Sequence, residues 1–480
     1  MEGVEAETSR SSRTSLVGRL QASVSSVPLR KCLGQSSGPM PIHHMLYRCP
    51  RCGHDPLDGR KRRARCSSCG TSFEQGRGSL IIVHPPHGPP EPTAASSLLA
   101  DVEKRGGPGI KKESLFRESR VVFGRAEGHD VIRWRGEVLG FSERISWKGA
   151  GLLRLEGEAL SFRPGGKAEG FSCLLGDIRG VQISSRALQV TQEDIHLCQF
   201  EVLDDSPKRW EDLLCLALRR FYARSGQRVT EFKPRIITTP DQLRVTETRV
   251  TERRMTETRT TETHTTDEKR SMTLYRVLRW IMSVYFRARL KIRLEGEENV
   301  PDKGAFVLVL SHQSHLDSLL LHTFCPRLMF TLAKSSVFRT RFMAWLAPRV
   351  GAVPTRRYQI DLQAVRVALR LISRGEAVGV FPEGERSWDG RLQPLRSGTI
   401  RLLLKAGVPV IPCGIVGTYE VFPRWGHMNW FKVGLGREPV IIRYGEPIHF
   451  GKHDDRASRE WARPDATVRM ETALQAVMAQ

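Results

Sequence analysis

Two groups of residues in this 480-residue chain have the types and spacing to do chemistry. The first is Ser311-His312-Gln313-Ser314-His315-Leu316-Asp317, which directly follows the apolar run Phe306-Val307-Leu308-Val309-Leu310. A neutral imidazole at His312 can take a proton from a hydroxyl, and a carboxylate at Asp317 can hold its tautomer and stabilise the imidazolium. Five positions place two side chains ~140° apart on a straight helix, so the two meet only across a strand-to-helix turn. Ser314 and Asp317 also fit the Ser-x-x-Asp cap that starts a helix and does no chemistry. The spacing alone leaves both readings open. His315 competes as the base but has no Asp at the same spacing.

The second group is Cys49-Pro50-Arg51-Cys52-Gly53 with Cys66-Ser67-Ser68-Cys69-Gly70. Four thiolates in CxxC…CxxC spacing suit a tetrahedral Zn²⁺ with no open position, so the expected metal is structural. A redox CxxC is the alternative, and the segment lacks the βαβ pattern that would favour it. His54 reads as a bystander. Arg60-Lys61-Arg62-Arg63-Ala64-Arg65 lies between the knuckles, but no aromatic residue there stacks a base, so nucleic acid is not an expected partner.

Composition limits the setting of both groups. Lys and Arg number 75 against 52 Asp and Glu, a net charge of +23, which draws polyanions of any kind. No run reaches the roughly 18 apolar residues of a spanning helix, and the Ser- and Arg-rich N-terminus has no secretory h-region. Residues 1–44 read as a disordered basic tail, 45–83 as the zinc ribbon, and 84–112, rich in Pro and Gly, as a linker. Residues 113–224 hold short apolar stretches divided by turn signals, then Trp210, Leu214, Ala217 and Phe221 on one helical face behind Ser206-Pro207. This order of elements resembles a pleckstrin-homology or GRAM-like barrel, and a small spacer without a ligand fits it equally. Over 225–271, Thr-Glu recurs with a period of five (Thr246, Thr251, Thr256, Thr261), which builds neither a helical nor a strand face, so a solvated tether is expected.

Residues 272–480 read as a globular α/β domain. Strand-like runs (Ala305–Leu310, Ala377–Phe381, Val408–Pro412, Val440–Tyr444) alternate with the helical stretches Leu362–Arg374 and Thr399–Ala406, the pattern of a mostly parallel sheet flanked by helices. Four blocks here resemble, in order, those of the glycerolipid acyltransferase family that includes 1-acylglycerol-3-phosphate acyltransferases. They are His312-x4-Asp317; Gly351-Ala352-Val353-Pro354-Thr355-Arg356-Arg357; Phe381-Pro382-Glu383-Gly384-Glu385-Arg386-Ser387; and Val408-Pro409-Val410-Ile411-Pro412. The resemblance covers roughly residues 274–448. It implies acyl transfer from acyl-CoA or acyl-carrier protein to a lysophospholipid, with 1-acylglycerol 3-phosphate the first choice. Another lysophospholipid or glycerol 3-phosphate is the rival acceptor, and a silent zinc-ribbon regulatory protein the rival class. It makes His312 and Asp317 catalytic and assigns Arg357, Glu383, Gly384, Arg386 and Arg396 to the acceptor. Two guanidinium groups suit phosphate oxygens, and a glycine permits close backbone approach. The chain departs from the family's pattern at Ser311, where Asn is usual, and at Glu385, where Thr is usual.

On a helical wheel, Thr273–Arg287 gathers Arg276, Arg279, Ser283 and Arg287 in one sector. Leu274, Val277, Leu278, Ile281, Val284 and Tyr285 lie opposite, with Trp280 and Phe286 at the flanks. An ordinary packed helix is the plain reading. The other is a monotopic or peripheral enzyme pressed onto an anionic membrane, on its cytoplasmic face.

Overall fold

The structure, a computed structural model, describes residues 40–479 apart from 77, 106–115, 135–136, 167–169, 185, 193–196, 225, 227–271, 356–361 and 427–438. The Cys-bearing unit comes first. Helix α1 (Ile42–Met45) leads to strands β1 (Asp58–Arg60), β2 (Arg63–Arg65), β3 (Ser72–Gln75), β4 (Leu80–His84) and β5 (Glu91–Ala94), which form one antiparallel sheet in sequence order. Helix α2 (Ala95–Lys104) follows without a gap. The composition of 84–112 reads as a linker, and the structure corrects this. Ala95, Leu98, Leu99 and Val102 recur at i, i+3, i+4 and i+7 and are all buried, a helical face that Pro and Gly counts hide. The tail read over 1–44 is also too long, because Met40 and Ile42 are buried. The readings of 1–39, 106–112 and the repeat at 227–271 lie outside the described residues.

Next come strands β6 (Phe116–Trp134), β7 (Glu137–Glu156), β8 (Ala159–Pro164), β9 (Phe171–Leu174), β10 (Ile178–Ile183), β11 (Ala187–Gln192) and β12 (Leu197–Val202), then helix α3 (Pro207–Arg224). The sheet order is β10-β11-β12-β6-β7-β8-β9, every pair antiparallel. Helix α3 buries Trp210, Leu214 and Ala217, and Ser206 Oγ accepts the Arg209 N–H as its cap. Short strands were expected throughout, yet β6 and β7 run 19 and 20 residues and form a hairpin arm. Three register shifts interrupt its alternation, so no even period announces its length. The arm reaches the C-terminal domain, where Ile132 packs with Phe338, Ala347 and Ala352, and Ser335 Oγ donates to Glu143 Oε2 at 3.0 Å.

The C-terminal domain opens with helix α4 (Met272–Arg289). Strands β13 (Lys291–Glu295), β14 (Phe306–Leu310), β15 (Met329–Lys334), β16 (Ala352–Thr355), β17 (Ala377–Val380), β18 (Val410–Val416) and β19 (Pro439–Tyr444) form a sheet ordered β13-β19-β18-β14-β17-β15-β16. All neighbours are parallel except β18 and β19. Helices α4 and α5 (Asp317–Phe324) pack against Leu308 and Leu310 on one face. Helix α6 (Arg341–Arg349) joins β15 to β16. Helices α7 (Leu362–Ser373), α8 (Ser397–Ala406) and α10 (Arg456–Met478) cover Val307 and Val309 on the other face, and α9 (Thr418–Val421) follows β18. Buried on both sides, β14 is apolar throughout. The chain leaves β14 for β15 on one side and later reaches β18 on the other, so the carboxyl ends of β14 and β17 border the switch-point crevice.

Replacing Leu98 by Ala tests the corrected boundary. A buried Leu in α2 should cost about 2–5 kcal/mol of unfolding free energy, read as a lower denaturant midpoint, whereas a linker residue would leave the midpoint unmoved.

Candidate active site

Residues 311–316 connect β14 to helix α5, and this turn brings His312 and Asp317 together. His312 Nδ1 lies 3.0 Å from Asp317 Oδ2. The same Oδ2 accepts the N–H groups of Gln313 and Ser314 at 2.7 and 2.8 Å. One carboxylate therefore both caps the turn and pairs with the imidazole. Its other oxygen accepts Thr418 Oγ1 at 2.7 Å. Asp317 is fully buried, and a carboxylate there needs this full set of donors. With Nδ1 carrying the proton toward Asp317, the lone pair sits on Nε2. His315 instead stacks on the Phe422 ring and is exposed.

The block 381–387 holds His312 at three further points. Phe381 stacks on the imidazole at 4.1 Å. Glu383 Oε1 accepts the His312 N–H at 2.7 Å, and the His312 carbonyl accepts the Ser387 N–H at 2.8 Å. Glu383 Oε2 accepts the Gln393 N–H at 2.8 Å. Both its oxygens thus accept backbone N–H groups, and the acid braces the turn that carries His312. Burial pushes its carboxyl up to about 8 against the two N–H bonds that pull it down, with Asp317 and Asp389 adding to the rise.

Gly384 has φ +68°, and a Cβ there would lie 2.1 Å from Arg396 Nε. Its N–H donates to the Phe381 carbonyl, so it closes the turn rather than offering an anion contact. What it provides is room, because the Arg396 guanidinium lies on the turn and Nε donates to the Glu383 carbonyl at 3.1 Å. Arg386 lies in the same segment, half-buried. Arg357 falls outside the described residues, although the strand leading to it, β16, is in place. Ser311 Oγ is buried and makes no hydrogen bond among the described residues.

Thr418 and Arg424 also hold this site together, and the motif reading did not name them. Thr418 lies 101 residues from Asp317, and no local pattern announces it. Arg424 Nη1 donates to Glu385 Oε2 at 2.8 Å and to the Arg386 carbonyl at 2.9 Å. The unexpected acid at 385 thus has its own cation.

The four cysteines converge apart from this crevice. Their sulfurs all lie within 4.8 Å of one another, with Cys49 to Cys69 at 3.6 Å and Cys52 to Cys66 at 3.5 Å. Four sulfurs at ~2.3 Å from one tetrahedral ion would stand at such separations. Gly53 and Gly70 turn at φ +78° and +74°, and their N–H groups close onto the Cys49 and Cys66 carbonyls. His54 bonds Ser67 at 2.9 Å and is not among the four.

Glu383→Gln tests the brace. The native carboxyl, at about 8 against 4.5 when unfolded, binds a proton that the unfolded chain releases between those values. Its contribution to stability is therefore full below about 4.5 and lost as pH rises through 8. The melting-temperature advantage of wild type over the variant should shrink steadily from pH 5 to pH 8; a constant gap would contradict the assignment.

A protein-family model described as Acyltransferase matches residues 291–416, which contain all four sequence blocks. The chloroplastic 1-acyl-sn-glycerol-3-phosphate acyltransferase of Arabidopsis thaliana is 33% identical over 169 residues, 34% of this chain and 45% of that protein. The 1-acyl-sn-glycerol-3-phosphate acyltransferase of Bacillus subtilis is 24% identical over 177 residues, 37% of this chain and 83% of that protein. The crystal structure of the 1-acyl-sn-glycerophosphate acyltransferase from Thermotoga maritima is 24% identical, covering 44% of this chain and 85% of that one, with a TM-score of 0.34. The chain spans about half the length of the first curated relatives it matches. Residues 291–416 thus match the Acyltransferase family model, and this part of the chain is similar to the 1-acyl-sn-glycerol-3-phosphate acyltransferases.

Proposed function

We propose that the chain transfers a fatty acyl group from acyl-CoA or acyl-carrier protein to the free hydroxyl of 1-acylglycerol 3-phosphate, forming phosphatidic acid. The observation that carries this reading is the buried His312–Asp317 pair at the crevice, with the Arg396 guanidinium on the adjoining turn and Arg386 in the same segment. Nε2 of His312 takes the proton of the acceptor hydroxyl as its oxygen attacks the thioester carbonyl. The tetrahedral oxyanion collapses, the C–S bond breaks, and the imidazolium returns its proton to the departing thiolate. Asp317 stabilises the imidazolium between those steps. Arg386, Arg396 and Arg357 supply the cations for the acceptor phosphate. Glu383, raised to about 8 by burial, adds little negative charge beside them near neutral pH.

Lipid acceptors reside in membranes, and α4 supplies a contact. Trp280 is 69% exposed, with Val277, Ile281 and Val284 also exposed and Arg276 and Arg287 alongside. Among the described residues no helix is long and apolar enough to cross a membrane. An interfacial helix with exposed aromatics and flanking arginines fits a peripheral or monotopic attachment to an anionic leaflet. A reducing, cytoplasmic side keeps the four thiols as ligands.

The reading is tested with labelled acyl-CoA and a panel of lysophosphatidate, glycerol 3-phosphate and neutral lysolipids. Lysophosphatidate should be the preferred acceptor, and His312→Ala should lower its rate by at least 10³-fold with folding intact. Transfer to none of these acceptors by the wild type would end the proposal.

Cys49, Cys52, Cys66 and Cys69 would hold a structural Zn²⁺, which ties two knuckles that a small sheet alone holds weakly. Elemental analysis should find one zinc per chain, and Cys49→Ser with Cys52→Ser should remove it and lower the first thermal transition. A metal-free wild type with the same transition would count against the site.

A further inference from the structure

Glu385 stands where a small hydroxyl residue is usual in this kind of block, and a bare carboxylate next to a phosphate-binding turn would repel its ligand. The structure places a second residue against it. Arg424 is 8% exposed at its side chain and Glu385 6%. The Arg424 guanidinium spends its donors on three acceptors: Glu385 Oε2 at 2.8 Å, the Arg386 carbonyl at 2.9 Å, and the Ile183 carbonyl at 2.8 Å. Ile183 ends β10, in the β-rich unit, 241 residues away in sequence. The guanidinium also lies 4.3 Å over the ring of Trp388, whose other neighbour is Lys208 of α3, 6.0 Å from the ring centroid. The next residue, Trp425, is buried within the core of the N-terminal units. The segment that carries Arg386 is therefore fastened from outside its own domain.

We infer that Arg424 is a positioning residue for the acyl acceptor, which cancels the Glu385 charge and fixes the Arg386 backbone against the β-rich unit. This rests on the reading of the site as a phosphate-bearing acceptor site. A planar fork suits the task because it holds one carboxylate and two carbonyls in fixed directions, where a lysine ammonium is a rotating point charge on a flexible stem. An unpaired buried carboxylate is costly, so loss of Arg424 exposes the charge as well as freeing the turn. The β-rich unit then has a place in acceptor binding without needing a ligand of its own.

The test uses full-length wild type, Arg424→Ala, Glu385→Gln and the double variant, with steady-state kinetics varied separately in lysophosphatidate and acyl-CoA. Arg424→Ala should raise KM for lysophosphatidate at least tenfold while KM for acyl-CoA changes less than twofold. Glu385→Gln should leave the acceptor KM unchanged or lower it. The double variant should recover part of the loss, because the uncompensated charge is gone while the Arg386 carbonyl stays unfastened. Equal acceptor KM in Arg424→Ala and wild type, or no recovery in the double variant, would overturn the inference. If Arg424→Ala fails to fold, a raised acceptor KM in Glu385→Gln alone overturns it. A wild type that acylates no lysophosphatidate would instead refute the parent reading, so the two failures are told apart.

Discussion

A buried carboxylate at Asp317 must collect enough donors to replace the water it has lost, and the C-terminal domain is organised around that requirement. Its four hydrogen bonds come from the His312 ring, the Gln313 and Ser314 backbone, and the Thr418 hydroxyl. Three are local and depend on the turn between β14 and α5. The fourth depends on β18 delivering Thr418 to the same end of the sheet. The imidazole is oriented because the acid is, and the acid is satisfied because two neighbouring parallel strands end at the same level.

The block at 381–387 supports that arrangement from the side. Its phenylalanine stacks on the ring, its glutamate holds the backbone N–H of His312, and its serine N–H holds the carbonyl. A block read from sequence as a ligand site is thus first a clamp on the base. Its glycine serves the same end by letting Arg396 lie flat on the turn. On the proposed function, charge selection falls to guanidinium groups on this rigid frame, so modest displacements of the frame become losses of affinity.

How much of this was legible beforehand depends on range. The spacing of His312 and Asp317 left a helix cap and a catalytic pair both open, and only the resemblance of the four blocks chose between them. The four cysteines were legible because the knuckle spacing is local. Strand β14 announced itself through five consecutive apolar residues. Thr418 and Arg424 were not legible, since the Asp317 partner of Thr418 and the Ile183 partner of Arg424 lie far off in the chain and neither residue belongs to a periodic pattern. Helix α2 had the period but stood in Pro- and Gly-rich surroundings, and composition outweighed it. The long arm of β6 and β7 was hidden because it rests partly on another domain, so its burial pattern is set by partners that its own alternation does not contain.

The central claim is that Asp317 fixes the proton of His312 on Nδ1, leaving Nε2 as the base. ¹⁵N-histidine labelling with NMR of the imidazole resonances measures this directly. The account predicts a His312 N–H at Nδ1, shifted downfield by its carboxylate partner and lost or moved in Asp317→Asn. A proton residing on Nε2, or an Nδ1 signal indifferent to Asp317→Asn, would contradict it.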